Sequence, residues 1–265
     1  MKPILLGVPW DAHSSFARGP ALAPAAIRAA LHSPSSNSAA EDEQDAVSVI
    51  EDRGDLALHD VTDVAAAIEA GAGEVVAAGG LPIFLGGDHA VTPPLVRAMH
   101  AQHGPLTILH IDAHPDLYDE LDGSRDSHAC PFARVLEAGL ATRLVQVGIR
   151  TMNAHQRAQA TRFGVETIPM HAGFAAALAA VRTLSGPLYV SLDLDAMDPS
   201  AVPGINHPEP GGFTVREVIS LLGAIPPRAL RGADVVELNP LHDWRDFTAR
   251  VAAKLVKELV RVGRA

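Results

Sequence analysis

Short uninterrupted apolar runs recur along the chain, separated by stretches in which apolar residues return every three or four positions. Eight runs read as strands: residues 3–8, 47–50, 82–85, 106–111, 143–148, 165–169, 188–192 and 233–238. They are continuous rather than alternating, as in strands covered on both faces. The stretches between them read as helices. The clearest is the last, where Phe247, Val251, Leu255 and Leu259 repeat every four residues with Val256 and Val260 beside them. Lys254, Lys257, Glu258 and Arg261 are expected to face away from the core. Asp246 stands where an N-cap belongs. A weaker, glycine-interrupted helix is expected over residues 63–78. Strands alternating with helices predict an α/β fold, a mostly parallel sheet with helices on both faces.

Three long polar loops interrupt this rhythm, at residues 32–45, 116–127 and 196–212. The second and third follow the fourth and seventh predicted strands. In open α/β sheets the ligand crevice lies beyond the carboxyl ends of the strands, so these two loops are candidates for function. The first reads as a surface insertion.

Composition narrows the picture. With 265 residues, of which 48% are apolar and 20% charged, the chain can bury a sizeable core as one domain over residues 1–265. Aromatics are only 4%, so that core is aliphatic. The net charge of −10 argues against sequence-independent nucleic-acid binding, which needs cations to displace phosphate counterions, and is compatible with a cationic small molecule. Cys130 is the only cysteine, which excludes an intrachain disulfide and a cysteine zinc cluster and points to a reducing, cytoplasmic setting. The opening apolar run is too short for a signal peptide. No stretch approaches the ~18 apolar residues of a membrane span. The nearest, residues 64–85, is broken by Glu69 and Glu74.

The chemistry concentrates at three strand ends. Asp112, His114 and Asp116 stand at i, i+2 and i+4 after the fourth strand, so an extended chain would point them the same way. Asp193 and Asp195 repeat that spacing after the seventh. Gly86-Gly87-Asp88-His89 follows the third and puts an imidazole beside a glycine turn where backbone can approach closely. Together these offer four carboxylates and two imidazoles, more ligand charge than one ion needs. Two divalent metals about 3.5–4 Å apart, sharing carboxylate bridges, would suit such a set. Among the neighbouring polar residues, His110 reads as a satisfied core histidine, Asp198 before Pro199 as a turn former, and Asp88 as a carboxylate that steadies the glycine loop or orients a neighbour.

The ordered set of motifs resembles the ureohydrolases, the family of arginase and agmatinase, over nearly the whole length. It starts at Gly7-Val8-Pro9-Trp10-Asp11, with Ser15 and Gly19 following. It runs through Gly86–His89, Asp112–Asp116, Ser127-His128-Ala129 and Ser191–Asp195, and ends at Glu237-Leu238-Asn239-Pro240. The detail around His128 and over residues 144–150 is most similar to plant-type arginases and bacterial agmatinase-like proteins. The resemblance implies a three-layer αβα sandwich holding two Mn2+ per subunit. One ion is expected on His89, Asp112, Asp116 and Asp193, the other on His114, Asp112, Asp193 and Asp195, although carboxylate-rich sites accept other divalent metals. It also implies catalytic roles for Asp116, which would hydrogen-bond a hydroxide between the ions, for Glu237, which would pair with the guanidinium, and for His128, which would relay protons. The expected partners are a small cationic guanidino substrate and, as trimer or hexamer, further copies of the chain.

L-Arginine is the lead substrate, giving L-ornithine and urea, with agmatine or another guanidino acid as the alternative. The loop over residues 116–127 lacks the Asn-rich pattern with which animal arginases grip the amino-acid end of arginine. Arg125 there is a candidate for a substrate carboxylate, against its reading as a solvated group. The acids Asp119, Glu120, Asp122 and Asp126 read as a solvated face, and Cys130 as a small buried side chain. Two competing readings come from other classes. One is an Asp-x-Asp nucleotide or phosphate enzyme built on Asp193 and Asp195, which leaves the other two motifs unused. The other is a non-catalytic metal-binding relative, against which the intact ligand set argues.

Overall fold

Every strand pairing in the sheet is parallel. The computed structural model describes residues 1–264. Along the chain run β1 (Pro3–Gly7), α1 (Ala23–Leu31), β2 (Glu51–Asp55), α2 (Val64–Ala77), β3 (Leu81–Leu85), α3 (Thr92–His103), β4 (Leu106–Ile111) and α4 (Pro131–Glu137). There follow β5 (Ala141–Ile149), α5 (Ala154–Phe163), β6 (Glu166–Pro169), α6 (Phe174–Arg182), β7 (Leu188–Asp193), α7 (Val215–Gly223), β8 (Leu230–Val236) and α8 (Phe247–Arg264). The strands join in the order β2-β1-β3-β8-β7-β4-β5-β6.

Strand alternation divides the core in two. Leu5, Ile83, Leu85, Leu109, Ile111, Val190, Leu192 and Val235 point into a cluster built with α1, α6, α7 and α8. Ile4, Leu6, Phe84, Ile108, Tyr189 and Val236 point the other way, into a cluster built with α2, α3, α4 and α5. Residues i and i+2 share a face, so each strand feeds both layers and needs apolar residues throughout. The result is the three-layer αβα sandwich expected.

Three expectations need correction. The second strand is not residues 47–50 but Glu51–Asp55, a polar and largely exposed segment. It lies at the sheet edge, pairing only with β1, so it needs no apolar face and its charges discourage further pairing. Val47 and Ile50 instead pack from the preceding loop onto the core. Asp246 does not cap α8. Its φ is +58°, outside the extended cap conformation, and the Asp243 carboxylate accepts from Thr248 N at 2.9 Å and Ala249 N at 3.0 Å instead. Finally, Lys257 and Glu258 do not face solvent; Glu258 is fully buried. The loop over residues 32–45 lies along that side of α8, with Glu41 N donating to Glu258 at 3.0 Å and the Lys257 ammonium donating to Asn37 O. The predicted helix over residues 63–78 is present as α2, with Asp63 capping it through Ala66 N at 2.9 Å.

Candidate metal centre

The site lies at the carboxyl ends of β3, β8, β7 and β4, four adjacent strands in the middle of the sheet. After β3 the chain turns at Gly87, where a Cβ would meet Trp10 O, so only glycine fits. The turn delivers His89 at the head of a short 3-10 helix, His89–Val91. After β4 come Asp112, His114 and Asp116, and β7 ends on Asp193, two residues before Asp195. Glu237 follows β8. Asp116 and Glu237 have φ of +51° and +66°, left-handed values uncommon outside glycine, and such strain concentrates at functional sites.

Four of the expected ligands meet around one atom. His89 Nδ1 lies 3.0 Å from Asp116 Oδ2, 3.2 Å from Asp193 Oδ2 and 3.3 Å from Asp112 Oδ2. A second group adjoins it, with His114 Nδ1 2.8 Å from Asp195 Oδ2 and 3.6 Å from Asp112 Oδ1. Asp112 thus offers one oxygen to each group. The chain after β4 is not extended, since Asp116 is left-handed, yet the loop still returns its carboxylate to His89.

Hydrogen-bond accounting favours a cation here. Ser191 Oγ donates its one proton to Asp234 Oδ1 at 2.7 Å, so at 2.9 Å it accepts from His89 Nε2. That leaves Nδ1 of a neutral His89 as a shielded lone pair facing three carboxylates, without a hydrogen-bond partner. Something positive must sit there. Without a metal a proton does so. Burial opposes the charge, but Asp112, Asp116 and Asp193 outweigh it and hold the His89 pKa well above the usual imidazole range. His114 is likewise pushed up to about 12, against burial, by Asp195 and Asp112. Burial and the neighbouring carboxylates raise Asp193 well above its ordinary value and Asp195 to about 7. Divalent cations relieve both conditions at once, so the donor set fits them.

His110 also brings a ring nitrogen within ligand distance of this cluster. Its hydrogen bonds are already committed. Gln146 Nε2 donates to Nδ1 at 3.0 Å, which leaves His110 Nε2 to donate to Asp112 Oδ2 at 2.6 Å. His110 therefore positions Asp112, as a satisfied core histidine can.

Beneath the expected ligands runs a layer of polar residues in which His110 is the satisfied core histidine expected, but Asp234 and Gln146 are not foreseen by the sequence patterns. Asp234, Ser191, His110 and Gln146 are register partners across β8, β7, β4 and β5. Asp234 is fully buried and also accepts from Tyr189 Oη and Thr92 Oγ1, both at 2.8 Å. A usable signal existed. Each of Ser191 and His110 stands two residues before an expected ligand on the same strand face.

The cavity above this layer has a volume of about 160 Å³ and is lined by Ser15, His114, Asp116, His128, Glu237 and others. Glu237 Oε1 accepts from His89 N at 2.9 Å and His128 Nδ1 at 2.8 Å, while Oε2 is shielded and unpartnered. Burial opposes charge on His128, but Glu237 prevails and raises it to about 9. His128 Nε2 bonds Ser15 Oγ at 2.8 Å. Asp88 holds the loop carrying Ser15, accepting from His13 N at 2.9 Å and Ser14 Oγ at 3.2 Å, while its other oxygen caps Ala90 N. Asp198 ties its own loop, taking Ser200 N at 3.0 Å and Gly211 N at 2.8 Å. Arg125 does not reach the cavity; it pairs with Asp119 at 2.6 Å and Glu137 at 2.9 Å. Cys130 is buried, and burial raises its thiol to about 11, too high for a nucleophile.

The sequence model of the Arginase family matches residues 1–261. Arginase 1, mitochondrial, of Arabidopsis thaliana is 42% identical over 272 residues, covering 96% of this chain and 79% of the plant protein. The N(1)-aminopropylagmatine ureohydrolase of Thermus thermophilus is 44% identical over 167 residues, 62% of this chain and 56% of that protein. Among solved structures, the arginase from Medicago truncatula superposes with a TM-score of 0.91 at 41% identity, covering 97% of this chain and 86% of that one. Family match, fold and ligand geometry converge, and the chain belongs to the arginase family, ureohydrolases that act on guanidino C–N bonds.

Proposed function

We propose that the protein hydrolyses L-arginine to L-ornithine and urea at a binuclear manganese centre. The observation that carries the reading is the division of Asp112 between two imidazole–carboxylate groups, one around His89 and one around His114. One ion is assigned to His89, Asp112, Asp116 and Asp193, and the other to His114, Asp112, Asp193 and Asp195. When bound, such ions supply concentrated positive charge that brings the pKa of water towards neutrality.

The remaining steps belong to side chains. Glu237 Oε2, shielded and without a partner, accepts an N–H of the guanidinium and so holds the carbon against the ligand set. Asp116 lines the same cavity and takes a hydrogen bond from the attacking water. As the water adds, its proton passes by way of Asp116 to the departing nitrogen. The tetrahedral carbon then collapses to urea with loss of the amine, its hydroxyl proton passing to solvent, and the amine needs one further proton. His128, kept charged by Glu237 and steadied by Ser15, supplies it.

Arginine as substrate is supported by the plant arginase at 42% identity. Agmatine is the second reading, favoured by one observation: among the described residues no Lys or Arg lines the cavity to meet an α-carboxylate. Tyr118, Leu121 and Gln156 meet the tail instead. We read residues 1–265 as one domain, since all eight strands share one sheet. Homo-oligomerisation, as trimer or hexamer, is supported by exposed Phe16, Leu22, Leu241, Trp244 and Phe247 on two segments tied together by Asn239, whose Nδ2 donates to Arg18 O. No described helix is long and apolar enough to cross a membrane. The single buried, unpaired Cys130 supports a reducing setting such as the cytoplasm. Urea release from arginine, agmatine and 4-guanidinobutyrate, with formamide release from formiminoglutamate, after manganese activation tests the proposal. Arginine should dominate, and urea from none of the guanidino compounds would refute it.

A further inference from the structure

Five buried side-chain polar atoms among the described residues have no hydrogen-bond partner. His89 Nδ1 is accounted for by the cation that the donor set fits. Two others, Glu237 Oε2 and His207 Nε2, line one cavity. The first serves the guanidinium in the reading above; the second has no role there.

The placement of His207 is fixed by its neighbours. The adjacent Asn206 donates to Ala17 O at 2.8 Å and accepts from Asn239 Nδ2 at 2.7 Å, and Ile205 pairs with Leu238 beside Glu237. The His207 ring centroid lies 5.0 Å from that of His128 and 6.1 Å from that of His114. His207 Nε2 is shielded and without a partner in the cavity it shares with Glu237. A neutral imidazole with its proton on Nδ1 presents Nε2 as an acceptor.

A guanidinium is all donor, with five N–H groups on an alkylated head and no lone pair. Glu237 has one oxygen left for it, because Oε1 is taken by His89 N and His128. A second buried acceptor in the same cavity is what such a head group requires. We propose that His207 Nε2 accepts an N–H of the guanidino group and makes the site select guanidino over formimino compounds. The selection follows from donor count. A formimino group carries C–H where a guanidino group carries NH2, so it leaves a buried acceptor unpaired, and sites with buried polar groups reject such analogues strongly. This rests on the guanidino-hydrolase reading and deepens it.

The test uses a matched pair with one tail, L-arginine and N5-formimidoyl-L-ornithine, on the manganese-loaded wild type and its His207→Ala, His207→Phe and His207→Asn variants. Calorimetric dissociation constants for the bare guanidinium and formamidinium ions give a readout independent of turnover. His207→Ala and His207→Phe should lower the guanidino preference in kcat/KM about tenfold and weaken guanidinium binding about tenfold, with formamidinium binding unchanged. His207→Asn keeps an acceptor and should retain most of the preference. A preference and a guanidinium affinity that stay within about twofold in both the Ala and Phe variants would overturn the role of His207 while leaving hydrolysis standing. A wild type that releases no urea, but whose guanidinium binding is lost on His207→Ala, would refute the hydrolysis and uphold the subsite.

Discussion

The Ser191 hydroxyl donates to Asp234 at 2.7 Å, and that bond decides which nitrogen His89 turns towards the carboxylates. With its proton committed, Ser191 can only accept from His89 Nε2, and the ring presents Nδ1 to the cluster. Groups that orient a metal-binding histidine typically matter 10–100-fold in metal affinity. Ser191→Ala and Asp234→Asn should therefore each weaken metal binding by about that factor, while the rate at saturating metal falls less. Calorimetric metal titration reads the first effect and kcat with excess metal the second. Affinity equal to wild type in Ser191→Ala, the milder change, would remove this relay.

The carboxylates of Asp116 and Asp195 belong to different imidazole groups, and their removal should be distinguishable. Asp195→Ala strips His114 of its nearest partner at 2.8 Å and should lower the bound metal towards one ion per chain by elemental analysis after dialysis. Asp116→Ala should weaken the ion beside His89, and both variants should lose at least about 100-fold in turnover. Chelation of the wild type should lower the melting temperature, since ligand at about 1,000 times its Kd contributes about 4 kcal/mol. Full turnover in either variant would take that residue out of the centre.

The candidate ligands stand out in the sequence because they lie just past the ends of apolar strands, where a charged residue breaks the pattern. The fold was legible for a related reason: six interior strands, buried on both faces, leave unbroken apolar runs. What escaped the sequence depends on lateral pairing. Asp234, Ser191, His110 and Gln146 each look like one polar residue in an apolar run, and only strand register aligns them into a layer. The edge strand β2 escaped because an edge needs no apolar signature. Glu258 and Lys257 escaped because helical periodicity cannot foresee a loop from residues 32–45 covering the polar side of α8. His207 escaped because a lone histidine in a Pro- and Gly-rich loop carries no spacing.

His128 offers a pH signature. Its pKa rises from 6.5 to about 9 on folding, against burial, because the Glu237 carboxylate lies 2.8 Å away. The stabilisation is fully present below pH 6.5, where His128 is charged in both states, and is lost as pH rises through about 9. The melting-temperature gap between wild type and His128→Asn should therefore be widest below pH 6.5 and shrink towards high pH in the same metal state. The same variant should lose far more turnover than bound metal. A gap that does not change with pH would mean that the pair with Glu237 contributes nothing to folding.

Glu258 is fully shielded from solvent, yet it takes Lys254 Nζ and Arg261 Nε, each at 2.6 Å, and Glu41 N at 3.0 Å. It therefore fastens the loop over residues 32–45 to α8 and holds two cations along the helix. Breaking a buried ion pair from one side costs about 3–5 kcal/mol, and the partial exposure of Lys254 and Arg261 reduces this to about 2–3 kcal/mol. Glu258→Ala should lower the melting temperature by about 5 °C or more. Glu258→Gln keeps an acceptor for Glu41 N and should lower it less. Hydrogen exchange over residues 32–45 should quicken in the Ala variant, while metal affinity stays as in wild type because Glu258 does not line the cavity. A melting temperature within about 1 °C of wild type would show that the loop is held by its apolar contacts, such as Ala40, rather than by this carboxylate.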